Sequence, residues 1–189
     1  VSDGIIAFDY TIEALDILLE KKKGNYLIIK QQNIIYDFEA RDVNGTTVMQ
    51  PSNNSFYICD DKSIPEEIRN DMSLGYIALK YTQSNSVCFV YKGKVIGTGA
   101  GQQNRVDCVE IAGKKAENWF KRNNIDDKTG LILVSDAFFP FPDSIEVAYK
   151  YGADYILQPG GSIRDKEVIQ KSKDLGIKMI LSDMRVFTH

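Results

Sequence analysis

The chain has 189 residues, with 23 Lys and Arg against 26 Asp and Glu, and its formal net charge is -3 at pH 7. A nucleic-acid-binding surface needs a strongly basic face, so this charge balance argues against such a partner. The sequence also has no signal-peptide pattern and no apolar run long enough to span a bilayer. We therefore expect one globular domain, with room for a small appended lobe, and no membrane partner.

The three cysteines occur at scattered spacings, which fit neither a disulfide framework nor a zinc site. Cys88 lies inside an apolar run, where a free thiol packs as a small hydrophobic residue. Free thiols suit a reducing compartment, so we expect a cytoplasmic protein.

The N-terminal third predicts one helix and two short strands. Apolar residues recur at helical spacing from Ile12 to Leu19, and Gly24 ends that helix. Residues 26–30 and 34–38 are predicted as strands. The stretch 44–54 is rich in Asn, Gly, Ser and Thr and is predicted as a loop.

From Pro65 onward the pattern is more regular. Pro65 opens a predicted helix that runs to about Leu79, and a hairpin around Lys92-Gly93 follows it. Helices and strands then alternate, and the remaining predicted elements are strands 87–91 and 94–98, helix 106–120, strand 131–134, helix 144–151, strand 155–157, helix 165–175 and strand 179–181. This order of elements is that of the cytidine-deaminase-like fold, a three-layer α/β/α sandwich on a mixed sheet.

We predict two parts of the chain on this basis. Residues 1–79 would hold N-terminal helices, a short hairpin and a connecting loop, and residues 80–189 a cytidine-deaminase-like subdomain. In zinc deaminases, two helix N-termini of this fold carry the metal ligands and a catalytic Glu. The equivalent positions here, Gln102–Arg105 and Phe138–Phe141, contain no His-x-Glu and no Pro-Cys-x-x-Cys. We therefore predict no metal, and helix ends suited to anionic ligands.

Three segments contain residues that a buried strand does not need. Lys80–Cys88 places a lysine, a tyrosine and four small polar residues before an apolar run, Gly97–Arg105 is glycine-rich, and Ser135–Asp143 is an aromatic loop. Each lies between a predicted strand and a predicted helix, where α/β proteins bind ligands. Two further motifs follow, Gln158–Asp165 and Met184–His189.

In these five ordered motifs the chain resembles the C-terminal part of the AICAR transformylase domain of the bifunctional AICAR transformylase/IMP cyclohydrolase family. The likeness also includes Val1–Ile5 and Gly24–Tyr26, and it is weakest from Gln31 to Asn70. That family's transformylase domain has two cytidine-deaminase-like subdomains, so the resemblance agrees with the predicted fold. Because the chain opens inside a shared motif and without Met, we expect it to be part of a longer polypeptide.

The resemblance implies formyl transfer from 10-formyltetrahydrofolate, as co-substrate, to the 5-amino group of AICAR, which gives FAICAR in purine biosynthesis. Such a reaction needs an oriented amine, a hydrogen-bond donor for the developing oxyanion and a route for a proton. The resemblance gives Asn85 the catalytic role of donor and orienting group. An isolated Asn before a strand would otherwise be a turn or cap residue.

The resemblance also implies a folate-binding pocket. Phe138 and Phe141 would supply aromatic walls for the flat pteridine, and Asp143 a carboxylate for its amino-pyrimidine edge. Ser144 stands where many family members have Asn, and Pro159-Gly160 belongs to a turn that could present N–H groups to a ligand. The alternatives are core packing for the Phe side chains, a helix cap for Asp143 and an ordinary tight turn at Gly160.

Arg105 and Arg185 are the candidate ligands of the ribotide, together with Lys80 and Phe138. Guanidinium groups bind phosphate in a bidentate way, and Arg185 matches the family's terminal Leu-Arg-Leu-Phe-His motif except at two positions. The alternative for either arginine is a buried residue paired with Asp. Lys80 is also a candidate for proton transfer.

The resemblance implies partners as well as ligands. Family members are homodimers, and their proton-shuttling Lys-His dipeptide lies in a preceding transformylase subdomain, behind an IMP cyclohydrolase domain in the bifunctional form. No Lys-His occurs in this chain. A second hypothesis is therefore a dimerisation or ligand-binding subdomain with no turnover in isolation.

Overall fold

The structure is a computed structural model, and it describes residues 3–32, 38–52, 57 and 59–186. Its contacts divide the chain into two compact units, residues 1–54 and 55–189. The boundary predicted at residue 80 concerns the parts of a transformylase domain and stays a prediction. Within the described ranges, no helix combines the length and the apolar character that a membrane crossing requires.

The first unit contains a β-α-β element and a hairpin. Its strands and its helix are β1 Gly4–Ala7, α1 Ile12–Glu20, β2 Leu27–Lys30, β3 Phe38–Val43 and β4 Thr46–Pro51. Strands β1 and β2 pair in parallel, and β3 and β4 pair antiparallel. The Thr11 hydroxyl accepts the Ala14 N–H and so caps the start of α1.

The predicted helix is confirmed, but it ends at Glu20 rather than at Gly24, because Lys21 has an extended backbone. The strand predicted at 26–30 is confirmed over residues 27–30. The loop predicted at 44–54 is wrong for residues 46–51, which form β4. Asn44 and Gly45 both have positive φ and make the tight Asn-Gly turn that favours hairpins. The composition of residues 44–54 did not reveal this hairpin, because its Thr and Ser residues are counted as loop residues. The strand predicted at 34–38 lies outside the described residues except for Phe38, which begins β3.

The second unit is a mixed α/β structure. Its elements are α2 Glu66–Lys80, β5 Val87–Tyr91, β6 Lys94–Gly99, α3 Arg105–Arg122, β7 Ile132–Ser135, α4 Asp143–Tyr151, β8 Tyr155–Gln158, α5 Asp165–Asp174 and β9 Lys178–Leu181. Each helix and strand predicted from Pro65 onward is confirmed, with ends that agree to within about two residues.

The five strands form one sheet in the order β6-β5-β7-β8-β9. Strand β5 is antiparallel to both of its neighbours, and β7, β8 and β9 are parallel. Side chains alternate between the two faces of the sheet: Val87 and Phe89 pack with α3 and α4, whereas Cys88 and Val90 pack with α2. Helices therefore cover both faces, which explains the continuous apolar runs of these strands.

The register brings five loops to one edge of this sheet. Val87, the first residue of β5, pairs with Gly99 and Ser135, the last residues of β6 and β7. Strands β8 and β9 run parallel to β7 and so end at the same edge. The loop before β5 therefore lies with the loops that follow the other four strands.

Candidate functional site

The loop before β5 is held against the loop after β6. The Gly101 N–H donates to the Gln83 carbonyl at 2.9 Å. The side-chain nitrogen Nδ2 of Asn85 donates to the carbonyls of Gln102 at 2.9 Å and Gln103 at 3.3 Å. The peptide bond between Ser84 and Asn85 is cis. Two of the motifs singled out in the sequence are thus in direct contact.

Asp136 lies at the centre of this edge, just after β7, and its side chain has no exposed surface. Its Oδ2 atom accepts hydrogen bonds from the Ser84 hydroxyl at 2.7 Å, the Ser86 N–H at 3.0 Å and the Ser86 hydroxyl at 3.1 Å. Its Oδ1 atom forms an ion pair with Arg105. The third motif is thereby joined to the first two.

Arg105 is the first residue of α3, and its side chain is only 9% exposed. Its second terminal nitrogen, Nη2, donates to Asn85 Oδ1 at 2.9 Å. The sequence left two roles open for Arg105, a substrate ligand or a buried arginine paired with Asp. The structure contains the second of these, the pairing with Asp136. A role in substrate binding stays a prediction.

The start of α3 supports the same cluster. Asn104 caps the helix, since its Oδ1 accepts the Asp107 N–H at 2.9 Å. Burial raises the pKa of the Cys108 thiol, which keeps it protonated as a donor to the Asn85 carbonyl, 3.0 Å away. A Cβ added to Gly99 would overlap the Cys108 carbonyl, so only glycine lets β6 pack this closely on the helix.

The aromatic loop divides into one core residue and two surface residues. Phe139 is fully buried, and its N–H donates to the buried Gln158 side chain at 2.8 Å. Phe138 is half-buried and Phe141 is 47% exposed. Core packing thus accounts for Phe139 and leaves the two candidate folate residues with exposed surface.

An arginine stands over each of these two rings. The Arg185 guanidinium carbon lies 5.6 Å from the centroid of the Phe138 ring, and that of Arg164 lies 4.9 Å from the Phe141 ring. The Val186 N–H donates to the Asp136 carbonyl at 3.2 Å, which holds the C-terminal segment beside this loop. Sequence reasoning missed Arg164, because nothing in the Gln158–Asp165 motif separates it from an ordinary helix-start residue.

The remaining folate candidates lie at the start of α4 and in the turn after β8. Asp143 begins α4 and is exposed, and its carboxylate accepts the N–H of the buried Ser144 at 2.6 Å. Pro159 and Gly160 are buried after β8. The neighbouring Gly161 N–H already donates to Asp165 at 2.7 Å, so this particular N–H of the turn has a protein partner.

Lys80 is the last residue of α2 and is half-buried. Its ammonium nitrogen lies 5.7 Å from the centroid of the Tyr81 ring. Residues 3–32, 38–52, 57 and 59–186 contain no group of three or more His, Cys, Asp or Glu side chains that could hold a metal ion.

The candidate site therefore has two clusters that share Asp136. Its side chain binds Arg105, which contacts Asn85, and the two serines that flank Asn85. Its backbone carbonyl binds the segment with Arg185, which contacts Phe138. Sequence reasoning did not single out Asp136 itself. The available signal was a carboxylate that follows an apolar strand inside one of the three motifs.

Comparison with known proteins gives a family model and several relatives. The model described as AICARFT/IMPCHase bienzyme matches residues 1–115. The chain is 38% identical over 192 residues to the bifunctional purine biosynthesis protein PurH of Persephonella marina, covering 98% of this chain and 36% of that protein. Proteins of the same name from Petrotoga mobilis and Clostridium acetobutylicum are 38% and 37% identical, covering 98% of this chain and 35% and 36% of theirs. The chain thus spans about a third of the length of these curated relatives.

Proposed function

This chain belongs to the AICARFT/IMPCHase bienzyme family, and we propose that it forms the C-terminal part of an AICAR transformylase domain. The complete enzyme would transfer the formyl group of 10-formyltetrahydrofolate to the 5-amino group of AICAR. The observation that carries this proposal is the meeting of the three motif loops at one sheet edge, with the Asn85 amide held between Arg105 and two backbone carbonyls. The sheet order and the helices on both faces support the cytidine-deaminase-like fold for the second unit.

In this proposal the Asn85 amide donates to the formyl oxygen as negative charge develops there. Its Nδ2 atom makes a bond of normal length to the Gln102 carbonyl at 2.9 Å and a long one to the Gln103 carbonyl at 3.3 Å. The longer bond is the one that a substrate oxygen displaces at the smaller cost. An amide does not titrate, so this donor keeps its charge state at any working pH.

Phe138 and Phe141, which both keep some exposed surface, would pack against the pteridine ring of the folate. Asp143, which is exposed at the start of α4, would accept hydrogen bonds from the amino-pyrimidine edge. The two arginines over these rings bring positive charge to the same place. This suits a site for two anionic substrates.

The ribotide phosphate is better assigned to Arg185 than to Arg105. Arg105 is buried and its charge is already neutralised by Asp136. Arg185 is exposed and lies beside the Phe138 ring. An exposed guanidinium group pairs with phosphate without losing a buried partner.

For the proton-transfer step, this chain supplies few candidate groups. Lys80 is the candidate within the chain, and the family's Lys-His pair is absent from it. We therefore propose that a general base comes from the preceding transformylase subdomain in a larger homodimeric enzyme. The second candidate, a dimerisation or ligand-binding subdomain without turnover, describes what the chain would be by itself.

The test is a formyl-transfer assay with AICAR and 10-formyltetrahydrofolate, on the chain alone and mixed with the preceding subdomain. We expect FAICAR only in the mixture. Activity of the chain alone would place the base within these residues, with Lys80 the first to substitute. If neither the mixture nor the full-length protein formed FAICAR, the proposal would be wrong.

A further inference from the structure

We infer that Asp136 is a positioning residue that fixes Asn85 in the candidate site. It acts through the residues on either side of Asn85 in the chain and through the arginine that contacts the Asn85 side chain. The catalytic consequence rests on the proposed formyl transfer, whereas the contacts do not depend on it.

Asp136 binds the residues on both sides of Asn85 in the loop before β5. The Oδ2 atom of Asp136 accepts bonds from the Ser84 hydroxyl and from the N–H and hydroxyl of Ser86. Ser84 and Ser86 flank Asn85, so one oxygen atom holds the loop on both sides of that residue. The Asp136 N–H also donates to the Ser86 carbonyl at 3.1 Å, a second link between the two loops.

Asp136 also acts on the Asn85 side chain, through Arg105. One terminal nitrogen of Arg105 pairs with Asp136, and the other donates to Asn85 Oδ1 at 2.9 Å. A guanidinium group is planar and rigid, so fixing one of its nitrogens fixes the other. Because arginine has no acceptor, it admits only the amide orientation with the oxygen towards it and Nδ2 towards the loop carbonyls.

The burial of this ion pair favours a positioning role. A buried ion pair costs desolvation, and a hydrophobic pair of similar volume is often as stable. An apolar pair would not impose an orientation on an amide or hold both flanks of its loop. The ion pair is thus the arrangement expected where one side chain must keep one geometry.

The first arm of the test needs no reaction. In the 189-residue chain, the NMR signals of the Asn85 side-chain amide are identified by their loss in Asn85→Ala. We expect these protons to be protected from hydrogen exchange in the native chain and to lose that protection in Asp136→Asn. The double variant Arg105→Gln/Asp136→Asn leaves no unpaired buried charge, so it keeps the test possible if the single variant does not fold.

The second arm is a double-mutant cycle in the full-length protein. Asp136→Asn should lower kcat by about 100-fold, the effect of a small misplacement of a reacting group, with a smaller change in KM. In an Asn85→Ala background the same substitution should change kcat little, because the residue it acts through is gone. A merely structural role would give the same fold loss in both backgrounds.

Asp71→Asn is the matched control. Asp71 is also a buried carboxylate that accepts a backbone N–H, from Gly93 at 2.8 Å in the β5–β6 turn. This variant should leave both the amide signals and kcat as they are. Unchanged Asn85 signals in Asp136→Asn, or equal losses of kcat in both backgrounds, would overturn the inference. If the native full-length protein transferred no formyl group, the proposed function would fail while the NMR arm still decided the positioning role.

Discussion

Arg185 and Arg105 carry the same charge in very different surroundings. Arg105 is 9% exposed and paired with Asp136, whereas Arg185 is exposed and stands over the Phe138 ring. If Arg185 binds the ribotide phosphate, its loss removes a charge-assisted contact worth about 1.5–3 kcal/mol. Arg185→Ala should therefore raise the KM for AICAR by roughly 10–100-fold, with a smaller change in kcat, in steady-state kinetics of the full-length protein.

Arg122→Ala is the control for that prediction, since Arg122 is an exposed arginine at the far end of α3. It should leave the KM for AICAR unchanged. An unchanged KM in Arg185→Ala as well would remove Arg185 from the phosphate site.

At the residue scale, the sequence predicts which segments form the candidate site but not which atoms contact one another. Three Phe residues crowd one loop, yet only the backbone path shows that Phe139 enters the core while Phe138 and Phe141 stay at the surface. The ion pair between Asp136 and Arg105 joins residues 31 positions apart. No local sequence pattern predicts a contact between residues so far apart in the chain.

The close packing of α3 on α4 predicts a loss of stability for a substitution that helix propensity alone would favour. Gly113 lies inside α3, where replacement by Ala stabilises an isolated helix by about 1 kcal/mol. A Cβ at this position would overlap the Tyr151 ring of α4. We therefore expect Gly113→Ala to destabilise the protein by about 1–3 kcal/mol in urea unfolding.

The exposed neighbour in the same helix provides the comparison. Lys114→Ala should change the free energy of unfolding by no more than about 0.5 kcal/mol. A Gly113→Ala protein that was as stable as the native one, or more so, would show that α3 and α4 are not packed this closely.

A hydrogen bond between the same two helices predicts a dependence on pH. The Tyr151 hydroxyl donates to Glu110 at 2.7 Å, and this bond, with the nearby Lys150, holds the pKa of Glu110 below its usual value of 4.5. A lowered folded-state pKa stabilises the fold above the unfolded pKa and ceases to do so as the pH falls through the folded one. Glu110→Gln should lower the free energy of unfolding by about 1 kcal/mol at pH 7 and by less at a pH below 4.5. An equal cost at both pH values would show that Glu110 acts without its charge.

The helices of the second unit could be predicted because their apolar residues recur at helical spacing and glycines such as Gly152 and Gly176 follow their ends. The strands β5 and β7 could be predicted because they are short, continuous apolar runs. The hairpin of β3 and β4 was missed because its strands are mostly exposed and rich in polar residues. Where neither face of a strand is buried, periodicity carries little information.

Across the whole molecule, the buried apolar residues are distributed very unevenly. In the described residues of the first unit only Leu18 belongs to the core, while Ile6, Phe8, Ile12 and Ile17 are 59–75% exposed. Parallel strands occur almost only where both faces are covered, and a two-stranded sheet is marginal by itself. The first unit therefore requires cover that its described residues do not supply.

This distribution predicts how the two units behave when separated. Residues 55–189, which hold the five-stranded sheet and both core clusters, should unfold cooperatively as an isolated polypeptide. Residues 1–54 should show no cooperative transition in urea, followed by circular dichroism. A cooperative transition in the isolated 1–54 segment would show that its fold does not depend on outside cover.

The measurement that most directly tests the proposed function is formyl transfer by the full-length protein and its Asn85→Ala variant, with Asn118→Ala on the exposed side of α3 as control. If Asn85 is the donor to the developing oxyanion, its loss should lower kcat by about 100–1000-fold while the variant still folds. The control should keep native turnover. Near-native turnover in Asn85→Ala would contradict the role on which the account of this site depends.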